Sequence, residues 1–123
     1  MTRKEAAAAF LKMASSGEVR AAYDRFIASD FIHHNAYFAG DRQSLLDAME
    51  AAARTHPNRS IDFKHIYEDG DTVITHSLVT RQDPAAEPII VIHIFRFAGD
   101  RVVELWDVGQ QRPQDSPNRN GMF

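Results

Sequence analysis

The feature that most constrains this chain is a change of period at Pro57. Before it, apolar residues recur at helical spacing; after it, they alternate. On the N-terminal side, Thr2 and Glu5 have capping-box spacing ahead of the helix formers Ala6 to Ala9, and Ser15-Ser16-Gly17 ends that first helix. A second helix starts near Glu18, with Val19, Ala22, Tyr23, Phe26 and Ile27 as its core stripe. Ser29-Asp30 either breaks it or caps one more short turn into the segment FIHHN, residues 31–35. A third helix runs from an N-cap at Asp41 to about Thr55 and is ended by Pro57.

Beyond Pro57 the chain reads as strands. IDFKHIY, 61–67, places Ile61, Phe63, His65 and Tyr67 on one face. Asp69-Gly70 marks a tight turn, 72–81 is rich in β-branched residues, and a proline-bearing loop leads to strands over 89–97 and 101–108. The tail from Gly109 is polar. Three helices followed by a run of antiparallel strands predict an α+β fold, helices packed on one face of a strongly curved sheet. Such a cone has an open end suited to a small molecule.

With 123 residues, the whole chain (1–123) forms one domain. A net charge of -3 offers no global basic field for nucleic acid, and no apolar run is long enough for a membrane span. The absence of cysteine excludes disulfides, thiol nucleophiles and zinc-cysteine sites, and with no signal-like N-terminus a cytoplasmic location is expected.

The residues that could carry chemistry sit in the last hairpin and in FIHHN. His93 lies in the apolar run IIVIHIFRF, so its ring must either find hydrogen bonds in the core or face a cavity. Asp107, beside Trp106, is costly to bury as an anion; it needs donors or a raised pKa, and a raised-pKa carboxyl suits proton abstraction next to a carbonyl. A two-residue turn at Gly99-Asp100 pairs His93 with Trp106 and sends Asp107 to the opposite face. A three-residue loop, 98–100, pairs His93 with Leu105 and leaves Asp107 diagonally beside it. His76 and the hydroxyl of Tyr23 could reach the same cavity. No H-x-x-x-H or H-x-H spacing sets two metal ligands on one element, and no metal or other cofactor is expected.

These residues, with HIFRFAGDRVVELWDVGQ across the last hairpin and the closing NRNGMF, give the chain a resemblance to the SnoaL-like polyketide cyclase group of the NTF2-like superfamily, notably its small bacterial branch predicted to catalyse aldol condensation. The resemblance implies that Asp107 is the general acid/base, that His93 assists it, and that both face the cone. It departs from the branch at His93, where aspartate is frequent, and at His33, where glutamine is common; His34 and Asn35 match the branch. The expectation is therefore a cofactor-independent lyase, cyclase or isomerase acting on a small hydrophobic or carbonyl-containing ligand. Asp107, His93 and His34 would be catalytic, with Asn35, His76, Tyr23 and Trp106 binding substrate. A noncatalytic binding module using the same pocket is the alternative. His34 and Asn35 are expected to face inward and His33 elsewhere. The resemblance further implies a homodimer through the outer sheet face.

Overall fold

A computed structural model describes residues 1–83 and 85–123. The element order is α1 (Arg3–Ser15), α2 (Val19–Phe26), β1 (Ile27–His33), α3 (Arg42–Thr55), β2 (Ser60–Asp69), β3 (Thr72–Thr80), β4 (Ile89–Ala98) and β5 (Arg101–Gln111). The five strands form one sheet in the order β1-β5-β4-β3-β2, antiparallel except for the parallel β1–β5 edge. Three helices cover one face, as the period change at Pro57 predicts. The Thr2 hydroxyl caps α1 by accepting from the Glu5 N–H at 3.1 Å.

Strand β1 corrects the sequence reading, which continued helix 2 toward FIHHN. Tyr23, Ile27 and Phe31 are all buried and spaced by four, which imitates a helical stripe. The stripe arises because β1 is irregular: its register on β5 jumps from Ile27↔Val102 to Ile32↔Glu104. An interrupted strand hides its own alternation. The segment after Gly109 is also more ordered than expected, since 109–111 continue β5 against 89–91.

Two further irregularities set which residues face the helices. In β2 the register shifts between Phe63↔Ser77 and His65↔His76, leaving Lys64 as the extra residue. Ile61, Phe63 and Ile66 consequently pack toward the core, while His65 and Tyr67 stack on one another on the other face. The expected single-face set of Ile61, Phe63, His65 and Tyr67 is therefore split. In the β4–β5 hairpin, Phe97 pairs with Val102 but Arg96 pairs with Glu104, so Val103 is the bulge residue.

Both β-hairpins, β2–β3 and β4–β5, close through two residues, Gly70-Asp71 and Gly99-Asp100. Each glycine has φ near +60°, as the first central position of a type II′ turn requires. The Arg3 guanidinium donates to the carbonyls of both glycines, pinning the start of α1 to both turns. Phe10, Tyr23 and Phe95 form an aromatic centre between helices and sheet, with ring centroids 5.5 Å (Phe10–Tyr23) and 6.1 Å (Phe10–Phe95) apart. Each is essentially inaccessible, and burying a side chain of this size contributes about 1.5–3 kcal/mol. Among the described residues, no helix is long and apolar enough to cross a membrane.

Candidate active site

The bulge at Val103 decides the site. The turn before it has the two-residue length that would pair His93 with Trp106. One extra residue in β5 advances the register, and His93 pairs directly with Asp107. Neither register considered from sequence is the observed one. Both side chains face the helices, and both line a cavity of about 290 Å³ between the sheet, α1 and α3. Apolar groups make up most of its wall, including Phe10, Leu45, Met49 and Val91; Asn35, His93 and Asp107 form a polar cluster within it.

Asn35 donates through Nδ2 to Asp107 Oδ2 at 3.0 Å. Its own carbonyl oxygen accepts from the Tyr37 N–H at 3.1 Å, which fixes the amide so that its NH₂ points at the carboxylate. The loop carrying Asn35 is held in turn by His33. That buried ring accepts at Nδ1 from the Asn35 N–H (3.2 Å), so Nδ1 carries no hydrogen and Nε2–H donates to Ser44 Oγ (3.2 Å). Ser44 completes the chain by donating to the Asp41 carbonyl at 3.1 Å.

His93 makes no hydrogen bond to the described residues. Its Nδ1 is buried without a partner, and so is Thr75 Oγ1 on the paired position of β3. The nitrogen left at the cavity surface is Nε2. Burial lowers the imidazole pKa to about 4, and the nearby Asp107 charge offsets only part of that effect. The ring is therefore neutral at pH 7 and does not balance the Asp107 charge, the role considered from sequence. A buried acceptor without a partner is better tolerated than a buried N–H without one, which favours the tautomer with hydrogen on Nε2.

A profile of the SnoaL-like domain matches residues 7–105. The chain belongs to the SnoaL-like domain family. Among curated proteins, none matches it. Among solved structures, IdmH from Streptomyces antibioticus, described as a candidate polyketide cyclase, is 17% identical, with a TM-score of 0.75 over 89% of this chain and 92% of that chain. AclR from Streptomyces galilaeus, described as a candidate hydroxylase, is 21% identical, with a TM-score of 0.71 over 91% and 93%. An NTF2-like protein of unknown function from Cytophaga hutchinsonii is 12% identical, with a TM-score of 0.72 over 89% and 91%. These likenesses establish the NTF2-like fold, on which the named chemistries differ, so the reaction has to be argued from the site.

In this SnoaL-like domain four expected site residues stand away from the cavity. His34 lies on the outer sheet face, stacked on Trp106 (4.9 Å, 4°) and paired with Glu104 at 2.7 Å. Trp106 goes with it, because the Val103 bulge that turns Asp107 inward turns Trp106 outward. Arg96 reaches the same Glu104 at 2.9 Å, and these bonds from His34 and Arg96 hold its carboxyl below the usual range. His76 is also outside, stacked on His65 and against Phe123 of the C-terminal tail. The tail thus packs on the outer face there rather than at the cavity mouth. Tyr23 is buried behind Met49, to whose Sδ it donates at 3.2 Å; burial raises its phenol pKa strongly, beyond the opposing effect of Arg42.

The expected orientations of His33 and His34 are thus reversed. Adjacent residues of an extended strand face opposite sides, and the Ile32↔Glu104 and His33↔Leu105 pairs put His33 on the Leu105 side, toward the core. The missed signal was the strand itself: with β1 recognised, Phe31 and His33 share a face. Among the described residues, no cluster of three His, Asp or Glu side chains could hold a metal.

Proposed function

We propose that this chain is an acid/base enzyme of the aldol-type cyclase, lyase or isomerase class, acting on a small carbonyl compound without a cofactor. The observation that carries the reading is the direct His93↔Asp107 pair in a largely apolar cavity, with Asn35 orienting the carboxylate. Asp107 takes a proton from the carbon next to the carbonyl. The C–H electron pair becomes the enolate, and its charge moves to the carbonyl oxygen. Neutral His93 donates Nε2–H to that oxygen, in surroundings where few other dipoles compete. The enolate carbon then either attacks a second carbonyl, whose new alkoxide recovers the proton from Asp107, or is reprotonated at another carbon. Asn35 holds Asp107 through both steps but exchanges no proton.

The test is α-proton exchange of simple ketones in heavy water, followed by NMR. Exchange in the wild type that falls by about 10²–10⁴ in Asp107→Asn supports the reading. Exchange that is absent, or indifferent to Asp107→Asn, removes it and leaves a binding module using the same cavity. We further infer a homodimer through the outer sheet face, where Ile32, Ile74, Ile92 and Val108 are exposed.

A further inference from the structure

The same cavity has a second polar end that this chemistry does not use. Arg59 and Arg81 both line it, at the end of the β2–β3 pair. The last pair of that ladder is Ser60↔Thr80, so the two arginines occupy the next facing positions. Like charges facing across a strand pair repel. Both side chains are half-buried, and among the described residues neither forms an ion pair. Arg59 Nε is buried with no hydrogen-bond partner. Asp83, on the same rim, turns its carboxylate to the Ala85 N–H at 3.0 Å and pairs with neither arginine. Burial, and then the charge of Arg81, act against the charge on Arg59 and lower its pKa. Two unpaired, partly desolvated guanidiniums cost stability, and a carboxylate between them would offset that cost with charge-assisted hydrogen bonds.

We propose that Arg59 and Arg81 form a carboxylate clamp, and that the ligand of this cavity is an elongated organic acid with an apolar body. Where the ligand is also the substrate, the proposal rests on the acid/base reading above and specifies its class as a carbonyl compound with a carboxylate tail. The spacing supports an elongated shape. Thr75 pairs with His93, and Arg81 lies six positions further along β3 (81 minus 75), roughly 20 Å of extended strand. The long arginine side chains cover part of that span. Ile61, Val79 and Ile89 supply apolar wall beside the clamp.

The experiment is calorimetric titration of the full chain with hexanoate, octanoate and phenylbutyrate, each against its primary amide. The expected result is that at least one acid binds about tenfold or more tightly than its amide, as a charged hydrogen-bonded pair provides. That preference should vanish in Arg59→Gln and in Arg81→Gln, the second serving if the first folds poorly. It should persist in Asp107→Asn. Removing either arginine should also raise the ligand-free Tm by about 2 °C, since a facing like charge is lost, whereas a structural arginine would lower it. Amides binding as well as acids, a preference surviving both arginine variants, no probe binding at all, or inorganic phosphate binding as tightly as the acids would each overturn the proposal. Loss of α-proton exchange with the acid preference intact would instead overturn the acid/base reading and leave the clamp standing.

Discussion

His93 should make this fold sensitive to mild acid. Its pKa is about 4 in the native state against 6.5 for an ordinary histidine. Between those values the unfolded chain binds a proton that the native chain refuses, so stability rises with pH across that window. The contribution is complete above about pH 6.5 and is lost as pH falls to about 4. At about 1.4 kcal/mol per pH unit, the loss over the interval (6.5 minus about 4) approaches about 3 kcal/mol. That is a large part of the 5–15 kcal/mol typical of a domain. The assay is urea unfolding at several pH values from about 4 to 7.5, on the wild type and on His93→Phe. Phenylalanine keeps a flat ring for the stack on Phe95, whose centroid lies 5.8 Å away. The carboxyls of Asp41 and Glu104, held low by their hydrogen bonds, titrate in both proteins and cancel in the difference. The wild type should lose about 3 kcal/mol more than the variant across the window. Parallel curves would mean that native His93 accepts a proton near the ordinary pH, and the neutral donor role assigned to it would fall.

Three other outcomes follow from the placement of side chains. Asn35→Ala should cut α-proton exchange by about 10–100-fold while ligand affinity stays near wild type, because the carboxylate loses its orientation and not its chemistry; a variant with full exchange would show that Asn35 is dispensable. His34→Ala, on the outer face, should leave exchange unchanged and cost less than about 1 kcal/mol in urea unfolding, since its ion pair with Glu104 is half-exposed on the histidine side. Ile92→Lys, in the exposed apolar patch, should give a monomer by gel filtration at micromolar concentration if the sheet face is the dimer contact; a wild type that is already monomeric would remove that contact.

Much of the fold was legible because long elements announce themselves. Helix α3 matches its expected span from the Asp41 cap to Thr55, and β3 and β4 carry enough β-branched residues to be read directly. What was lost lay at irregularities. Bulges leave little trace in composition: Val102 and Val103 are both apolar, so nothing in RVVELWD tells which of them is the extra residue. The pairing of His93 with Asp107, and the outward turn of Trp106, follow from that one unreadable choice. The inversion of His33 and His34 has the same origin in β1. Asn35 was found because its type and position stood out beside the histidines; His33 was dismissed although its ring supports the Asn35 backbone. The arginines were passed over because Arg59 follows a helix end and Arg81 ends a strand, and only the closed sheet brings them to one rim.

The bulge at Val103 has a consequence for how such a chain can change over time. Loops of this domain can gain or lose residues locally, but a one-residue deletion between Val102 and Glu104 would act at a distance. It would shift the phase of everything beyond it in β5, exchanging Asp107 for Trp106 on the lining and bringing a bulky indole where a carboxylate stood. The sheet could pair as before while the chamber inside it became a different one. A single codon lost there would thus redraw the interior wholesale, a route to new specificity that point substitutions, each confined to one face, do not offer.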